Sequence, residues 1–582
     1  MPNYGRSGRC RTCKRRRIKC DEARPACSPC RRLHLDCEGY TKDYVFRRDE
    51  SHKFASAARL KTVKEQGEPS RSLLTGADVA VPFFLVHYAG MGRSLAVARG
   101  FYETLIPIYT SQPPDSPLSL AVSAVAARVF SLWRHEDAIQ VKAHSVPYTQ
   151  AVASLRSALG RAEDRRRPAT TLAVLALHLY ESISAVYDAR QAAPLHHHGA
   201  LSLLPIGALD SLDGQSSSYV KGFVLHIEVS SALRQKRSMH PNVSSYLSTS
   251  SLVPGNLSST LDSIGASVAE LQAEYVRGLT RRHATGPLLE QQCRAWITEA
   301  GQIDDLLQAW ARDVPHHWRP LRLTSGQDFS PCIPAYRSAC DIYPSCQIAT
   351  LWNLWRFHRL LLLKINIGAT QRIFTLPVRE ESAGDERLVP TTLESAIQAG
   401  SVIQELVDSI CHSVPFYLGN RTKQSSLIDF TDPEILFPSY HSLAPGDARF
   451  AARLQDCNDG AALLSGDEHH RHMVSYGAWH VVSPLSNLLT LVSDDHGGRL
   501  VASCLRPGQQ EWIRQQFLRV STVVRLPAAG PLGGGEESRS PSFVPVGLKS
   551  ADGTAEILKS ADNAAENLAK QVRKGAIFMS GP

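Results

Sequence analysis

Through most of the chain, apolar residues recur at intervals of three and four positions, which is the period of one face of an α-helix. After Pro117 this spacing predicts a helix over residues 118–133. Thr170 or Thr171 is the expected N-cap of another predicted helix. Alternating strand patterns are scarce, so a large all-α domain is predicted over residues 81–526. The other helices predicted by the same spacing cover residues 151–159, 170–187, 346–365 and 393–411.

The helical pattern is missing at both ends of the chain. Residues 1–45 have almost no apolar core of their own, and residues 46–80 form a basic linker. The linker lacks the sustained apolar heptads of a coiled coil, although a short helix over about residues 50–66 is compatible with it. Residues 527–582 begin with a Gly- and Pro-rich run and are predicted to be a flexible tail. In that tail the sequence LKSAD occurs twice, in an Ala-rich stretch that could form a short helix.

The positive charge of the chain is concentrated at its N-terminus. The whole chain has 64 Lys and Arg residues and 55 Asp and Glu residues, a formal net charge of +9. The first 50 residues contain 14 of the basic and 7 of the acidic residues, and therefore carry +7 of that excess. We call the basic N-terminal segment, residues 1–50, the head, and the nearly neutral remainder of the chain the body. The concentration of positive charge indicates that the head binds a polyanion.

Six of the 13 cysteines follow the spacing C-x2-C-x6-C-x6-C-x2-C-x6-C. A C-x2-C pair brings two thiolates to one ion from a tight turn, as in structural zinc sites. Six ligands can give two zinc ions four bonds each only when two thiolates are shared. We therefore predict a two-zinc cluster whose metal binding supplies the folding free energy of the segment. Its ligands are Cys10, Cys13, Cys20, Cys27, Cys30 and Cys37.

Other uses of these cysteines are less favourable. Disulfides would require an oxidising compartment, for which the N-terminal sequence shows no secretory signal. Two separate four-cysteine fingers would require eight ligands. The remaining cysteines are scattered and are interpreted as ordinary buried or surface thiols: Cys293, Cys332, Cys340, Cys346, Cys411, Cys457 and Cys504.

The stretch CRTCKRRRIKCDEARPACSPCRRLHLDCEGY resembles the zinc binuclear cluster domain of fungal transcription factors. The match includes all six cysteines, the basic run between the second and third, and Pro25 before the fourth. In that family the first and fourth cysteines bridge the metals, so the resemblance implies that Cys10 and Cys27 are the shared ligands. More loosely, TLAVLALHLYESISAVYD and LWNLWRFHRLLLL resemble the helical regulatory region of the same proteins.

The residues between Cys13 and Cys20 carry a run of cations. This stretch is about two helical turns long, so metal ligation of one face would leave the opposite face to enter the major groove of DNA, where Arg and Lys read guanine. Arg31 and Arg32 occupy the corresponding place in the second half-motif and suit contacts to the DNA backbone. The cations of the first run are Lys14, Arg15, Arg16, Arg17 and Lys19.

The resemblance also implies which of these cations read bases. In the family, the third and fourth residues after the second cysteine reach the bases, and these positions hold Arg16 and Arg17. Arg15 and Lys19 are then expected to contact phosphates. A solvated charge run, or a nuclear-import signal alone, is the less specific interpretation.

The rest of the chain shows no enzyme motif: no phosphate-binding loop, no H-E-x-x-H and no G-x-S-x-G. The histidine-rich residues 467–472 are polar and follow Gly466, which favours an exposed loop over a second metal site. The histidines at 196–198, and Trp352 and Trp355, are interpreted as surface or core residues. No uninterrupted apolar run reaches the ~20 residues needed to cross a bilayer, so no membrane partner is expected.

These features together predict a nuclear, sequence-specific DNA-binding transcription regulator of RNA polymerase II genes. The resemblance implies double-stranded DNA sites that are G·C-rich and of CGG type, and a metabolic or secondary-metabolite gene cluster is a candidate target. The helical domain would contact the transcription machinery, bind a small-molecule effector or form a homodimer. The rival interpretation is a helical effector-binding or scaffold protein whose zinc head binds nucleic acid nonspecifically.

Overall fold

The structure is a computed structural model, and the chain divides into two compact units, Met1–Arg71 and Ser72–Pro582. Most of the linker, including its predicted helix, and most of the tail lie outside the described residues. Single positions inside the described segments are also excepted: 17, 22, 24, 25, 189, 445, 446, 495 and 496. The described segments are 10–37, 76–90, 101–134, 145–243, 256–280, 286–376, 388–449, 464–527 and 565–572.

The first unit contains two short helices, α1 (Arg11–Arg15) and α2 (Ser28–Arg32). Pro29 lies in the first turn of α2, where its fixed φ suits a helix start and its missing N–H is not needed. The carboxylate of Asp21 accepts hydrogen bonds from the Ser28 N–H at 3.1 and 3.2 Å and so satisfies one of the free donors at this end. The prediction of a module with two short helices is confirmed.

The first helix differs from the predicted two turns between Cys13 and Cys20. It begins before Cys13, at Arg11, and the sulfur of Cys10, directly before the helix, accepts the Cys13 N–H at 3.3 Å. It ends at Arg15, and the Ile18 N–H then bonds to the Cys13 carbonyl at 3.1 Å in a wide closing turn. The interpretation of Cys13 to Cys20 as about two helical turns is therefore wrong.

The second unit is mainly α-helical, as predicted. Two of its helices, α3 and α15, continue into π-helical turns at Leu85–Ala89 and Met473–Gly477. Short 3-10 turns lie at Leu204–Ile206, His316–Trp318, Tyr336–Ser338, Leu427–Phe430 and Tyr440–Ser442. The helices are α3 (Gly76–Phe84), α4 (Phe101–Thr110), α5 (Pro117–Arg134), α6 (Ser145–Gly160), α7 (Ala162–Arg165), α8 (Pro168–Tyr187), α9 (Leu195–Leu203), α10 (Gly214–Gln235), α11 (Leu257–Thr280), α12 (Pro287–Asp313), α13 (Cys346–Thr375), α14 (Leu388–Leu418), α15 (Gly466–His472), α16 (Ala478–Val492), α17 (Gly498–Ser503) and α18 (Gln509–Val523).

All five helices predicted from apolar spacing lie within observed ones, namely α5, α6, α8, α13 and α14. The predicted cap of α8 is wrong. Its N-cap is Arg167, which makes no side-chain cap, and Pro168 occupies the first turn. The hydroxyl of Thr170 instead donates to the Asp164 carbonyl at 2.6 Å. A proline in the first turn starts this helix before either threonine is reached.

A small hairpin interrupts the helices between α12 and α13. Strands β1 (Leu321–Thr324) and β2 (Ala339–Ile342) pair antiparallel, with Leu321 opposite Ile342. In β1, buried and exposed residues alternate, which is the strand period. Two strands of four residues are too short to stand out in a sequence dominated by helical spacing.

One large apolar core joins the helices of the second unit. Trp296 on α12 is 1% exposed and packs so closely on Gly278 of α11 that a Cβ there would lie 2.4 Å from its ring. The ring centroids of Trp352 and Trp355 on α13 are 5.4 Å apart. Trp352 is buried in this core and Trp355 packs against it, so the interpretation of these tryptophans as core residues is confirmed.

Helix α8 is long and apolar enough to cross a bilayer by length and composition. However, 94% of its apolar window is buried inside the protein, as expected for the central helix of a folded core. A further helix covers residues 565–572, within the Ala-rich stretch where the sequence allows one. Its apolar side joins the main core through Leu568, Ala569 and Val572.

Candidate metal centre and nucleic-acid interface

The two half-motifs of the head place their cysteines in the same way. The first cysteine of each half comes directly before a short helix, the second lies inside that helix, and the third follows it in extended chain. In the first half these are Cys10, Cys13 and Cys20, around α1. The second half repeats the arrangement around α2 with Cys27, Cys30 and Cys37. The repeated sequence therefore produces a repeated local geometry.

The two halves bring their sulfurs together. The sulfur of Cys10 lies 3.6 Å from that of Cys27 and 3.8 Å from that of Cys30. The sulfur of Cys13 lies at the same two distances from Cys27 and Cys30. These four side chains are fully buried.

The six sulfurs form two overlapping groups of four. One group contains Cys10, Cys27, Cys30 and Cys37, and the other contains Cys10, Cys13, Cys20 and Cys27. Within each group all sulfur atoms lie within 4.8 Å of one another. Cys10 and Cys27 belong to both groups, which is the overlap that two ions sharing two ligands require.

The donor set fits zinc. Four sulfurs at about 2.3 Å from a tetrahedral zinc ion are separated from each other by about 3.8 Å, which agrees with the short distances between the sulfurs. Thiolates are also the ligands that zinc takes in closed structural sites. This segment thus binds two zinc ions through its six cysteines.

Burial affects the protonation of these thiols. It raises the pKa values of Cys10 and Cys13, and it raises that of Cys30 to about 12. Without a metal ion these three sulfurs are therefore neutral thiols at pH 7. Zinc must displace their protons, so its binding strengthens as the pH rises.

Two hydrogen bonds that sequence reasoning missed support the cluster. The hydroxyl of Thr12, which is buried, donates to the carbonyl of Asp36 at 2.9 Å and ties α1 to the chain beside Cys37. The second is the bond from Ser28 N–H to Asp21. A helix-capping pattern could have suggested Asp21, but no sequence pattern pairs Thr12 with a carbonyl 24 residues away.

The basic residues of the head surround this cluster. Arg15 and Arg16, at the end of α1, are exposed, as is Lys19 after it. Arg31 and Arg32, at the end of α2, are exposed as well. The side chains of Lys14 and Arg17 lie outside the described residues. The structure thus exposes the described cations of both half-motifs, while Cys13 and Cys30 in the same two helices are buried.

Histidine-rich residues elsewhere do not form a second metal site among the described residues, where only the two cysteine groups have suitable geometry. The prediction of an exposed loop at 467–472 is wrong. These residues belong to α15, because Ser465 and Glu468 form a reciprocal capping box. His469 and His472 on that helix are buried.

The histidines at the start of α9 have structural partners. His196 lies 3.2 Å from the hydroxyl of Tyr148, and His197 lies 3.1 Å from the carboxylate of Glu228. His196 and His197 are buried, whereas His198 is exposed. Their interpretation as core and surface residues is confirmed.

Residues 9–44 match the family described as the fungal Zn(2)-Cys(6) binuclear cluster domain. The chain is 36% identical over 88 residues to an uncharacterized transcriptional regulatory protein of Schizosaccharomyces pombe, a match that covers 15% of each chain. It is 33% identical over 73 residues, or 12% of each chain, to the transcriptional regulatory protein moc3 of the same yeast. Over 31 residues it is 64% identical to sterol uptake control protein 2 of Candida albicans, which covers 5% of this chain and 4% of that protein.

The cysteine geometry and these matches define the class of the N-terminal segment: residues 9–44 match a fungal Zn(2)-Cys(6) binuclear cluster domain, and two of the similar proteins are transcriptional regulatory proteins. The family and the relatives are transcriptional regulators and not enzymes. The matches span 15% or less of the relatives' own lengths. No solved structure matches the chain.

Proposed function

We propose that this protein is a sequence-specific, DNA-binding regulator of transcription that acts through its zinc cluster. The observation that carries the proposal is the exposure of Arg15 and Arg16 at the end of a helix whose central residue, Cys13, is buried in the cluster. Metal binding would make this short helix rigid, and a rigid cationic helix suits insertion into the major groove.

Within the cluster, we assign Cys10 and Cys27 as the bridging ligands. Support comes from the membership of both residues in both groups of four sulfurs. The other four cysteines would each bind one ion: Cys13 and Cys20 one of them, Cys30 and Cys37 the other. Loss of a bridging thiolate removes a ligand from both ions, whereas loss of a terminal thiolate removes one ligand from one ion.

On the DNA, we assign Arg16 and Arg17 to base contacts and Lys14, Arg15 and Lys19 to positioning on phosphates. The family resemblance supports this division of roles, since its base-reading positions, the third and fourth after the second cysteine, hold Arg16 and Arg17. A bidentate contact to guanine discriminates between bases, whereas a phosphate contact does not. G·C-rich, CGG-type half-sites suit a pair of arginines.

The test is binding of the full chain to a CGG-containing duplex and to scrambled DNA at two salt concentrations. Arg16→Ala or Arg17→Ala should weaken the free energy of binding to the CGG duplex by about 1–3 kcal/mol and relax the sequence preference at one base pair. Lys19→Ala, the matched control, should weaken all duplexes alike and reduce the salt dependence. Equal affinity of the parent protein for CGG and scrambled DNA would favour the rival, a helical effector-binding protein with a nonspecific nucleic-acid head.

The remaining parts of the proposal concern the cell. A regulator of RNA polymerase II genes acts in the nucleus and contacts the transcription machinery, and a metabolic or secondary-metabolite gene cluster is the proposed target. Any homodimer would form through the helical unit, because the linker lacks apolar heptads. Mapping of bound sites across the genome in the native cell tests location, target and half-site arrangement together.

A further inference from the structure

A cavity of about 500 Å³ lies among the helices of the second unit. Its walls come from the start of α9, the end of α10, the middle of α11 and α13, the end of α16 and the helix over residues 565–572. A cavity of this volume is in the range that holds small organic ligands. Phe357, Leu361 and Leu491 supply an apolar part of the wall.

Five cations line the polar part of the wall, together with neutral polar side chains. One carboxylate lines the cavity, that of Asp494, and it is bonded to both Lys364 and Lys236, the latter at 2.6 Å. Burial favours the protonated acid, but the two lysines outweigh this effect and hold the pKa of Asp494 well below its usual range. The cations of the wall are Arg234, Lys236, Arg237, Lys364 and Lys570.

A second carboxylate, Glu228, offsets one further cation. Its oxygens accept hydrogen bonds from Arg237 at 2.6 and 2.9 Å. Arg234 has an interaction of its own and is left out of the count. Among the described residues, the other four cations still outnumber these two carboxylates by two. Cations near the end of α10 complement the partial negative charge of a helix C-terminus, but Lys364 and Lys570 are not at the end of that helix. The excess positive charge therefore suits an anionic ligand.

The backbone at Lys236 adds a second observation. This residue ends α10 in the left-handed region, with φ 52° and ψ 42°. Glycine is the usual residue at such a position because it avoids the steric cost of a side chain. A lysine held there places an ammonium group on the cavity wall at the expense of backbone strain, and such strain is concentrated at functional sites.

A third observation comes from Gln272 on α11, which lines the cavity and is 4% exposed. Its carbonyl oxygen is buried and has no hydrogen-bond partner among the residues that the structure describes. Buried acceptors normally have a partner, and a donor on a bound molecule would supply one. A hydroxyl group is such a donor.

We propose that this cavity binds a small organic anion, a carboxylate or phosphate ester that also carries a hydroxyl group. The anionic group would lie among Lys236, Lys364 and Lys570, and the hydroxyl would donate to Gln272. Any apolar portion of the ligand would contact Phe357 and Leu361. Because Lys570 comes from the helix at 565–572, the ligand would also stabilise the packing of that helix on the core.

The test is calorimetric titration of the full, zinc-loaded chain with two hydroxylated anions, phenyllactate for the carboxylate class and glycerol 3-phosphate for the phosphate class. At least one should bind in a 1:1 ratio with a Kd below about 1 mM. Phenyllactamide and glycerol, which lack the charge, should not bind measurably. 3-Phenylpropionate, which lacks the hydroxyl group of phenyllactate, should bind more weakly than phenyllactate if the carboxylate arm is the correct one.

Two variants locate the site. Lys570→Gln should weaken binding of the successful anion at least about tenfold, the loss expected for one charge-assisted hydrogen bond. Lys236→Gly should weaken it similarly while the Tm stays near that of the parent, because glycine relieves the strained backbone. Lys423→Gln, at an exposed lysine that does not line the cavity, is the matched control and should bind like the parent.

The proposal is overturned if neither anion binds, or if Lys570→Gln and Lys236→Gly bind as the control does. In that case the cations form only a structural ion-pair network. The test is independent of the proposed DNA binding. The cavity lies in the unit Ser72–Pro582, so a Cys10→Ala variant that no longer binds DNA should still bind the anion.

Discussion

The head and the body of this protein both contain helices, but different forces hold them. In the head, the buried cluster consists of Cys10, Cys13, Cys27 and Cys30, with little apolar surface around it. Its helices are five residues long, too short to form in water without support. The body buries one extended apolar core among helices of up to 31 residues. Helix content alone therefore does not tell which force stabilises a region.

The cysteines of the two regions also have different roles, as metal ligands in the head and as ordinary thiols in the body. Cys340, Cys346 and Cys411 in the body are as deeply buried as those of the cluster, and burial raises their pKa values too. They are scattered, however, and no other cysteine joins them in a metal-binding group among the described residues. Cys346, for example, contacts the sulfur of Met473 at 3.5 Å. Burial makes a thiol inert, and only clustering makes it a ligand.

The largest expected effect separates the two regions by metal removal. A strong zinc chelator should unfold residues 10–37 completely and leave the thermal transition of the body unchanged, because only the head depends on metal. Hydrogen exchange measured by mass spectrometry would report the unfolding of the head, and calorimetry would report the thermal transition of the body. A body transition that moves with the chelator would show that the two regions share their stability.

Single cysteine variants refine this test. Cys10→Ala should abolish stable binding of both zinc ions in elemental analysis, since this residue belongs to both sulfur groups. Cys332→Ala removes an exposed cysteine of the body and is the matched control, with two zinc ions retained. One zinc ion per chain in the fully reduced parent protein would contradict a shared-ligand cluster.

The converse experiment removes apolar packing from the body. Phe517 on α18 is 0% exposed, so Phe517→Ala should lower the free energy of unfolding of the body by about 3–5 kcal/mol. Zinc content should stay at two ions. Phe374→Ala, at a side chain that is 50% exposed, should change stability by less than about 0.5 kcal/mol. Loss of zinc from the Phe517 variant would refute the separation of the two regions.

The sequence predicted the two regions with unequal detail. The cysteine spacing specified the ligands and their number, because six sulfurs can satisfy two tetrahedral ions in few ways. It did not specify how far α1 extends, since the closing turn from Ile18 to Cys13 depends on where the metal holds the chain. For the body, apolar spacing located long helices but not their ends, which proline at Pro168 and a capping box at Ser465 determine.

The cavity was beyond sequence analysis altogether. Lys236, Lys364 and Lys570 are separated by more than a hundred residues from one another and carry no common motif. Only the packing of α10, α13 and the helix at 565–572 brings them to one wall. Long-range convergence of this kind cannot be inferred from periodicity, which reports only what lies on one face of one element.

A pH titration distinguishes the regions by a smaller effect. Burial lowers the pKa of His469 to about 3, and repulsion from His472 and His441 adds to the shift. The unfolded chain takes up a proton at this residue near pH 6.5, while the folded body does so only near pH 3. The contribution of neutral His469 to the free energy of unfolding of the body is therefore fully present above pH 6.5 and is lost as the pH falls. The loss is on the order of 2 kcal/mol between pH 6.5 and pH 5.

His469→Phe should remove this part of the pH dependence of the body. His316→Phe, the same substitution at an exposed histidine, is the matched control. Denaturant unfolding of the full chain, followed by a probe in the body, gives the free energy of unfolding at each pH. The slope of this free energy against pH is then compared between the parent and each variant. Equal slopes for the parent and His469→Phe would assign the acid sensitivity to other groups.

The smallest effect concerns the hydrogen bond from Thr12 to the Asp36 carbonyl, at 2.9 Å. Thr12→Val keeps the shape of the side chain and removes the donor, which should cost about 1 kcal/mol. Structural zinc contributes about 10–16 kcal/mol to the folding of such small domains, so the head should still fold with two ions. Competition for zinc against a chelator should show affinity reduced roughly fivefold.

Ser28→Ala is the control within the head, because Ser28 is exposed and its hydroxyl contacts Arg31, at 3.4 Å, and the Asp21 carboxylate rather than a cysteine. It should retain zinc like the parent. The decisive comparison is with Cys30→Ala, which removes a ligand. If Thr12→Val releases zinc as readily as Cys30→Ala does, hydrogen bonding rather than the metal holds the head together. The contrast between a metal-held head and an apolar body would then be wrong, because both regions would depend on ordinary protein contacts.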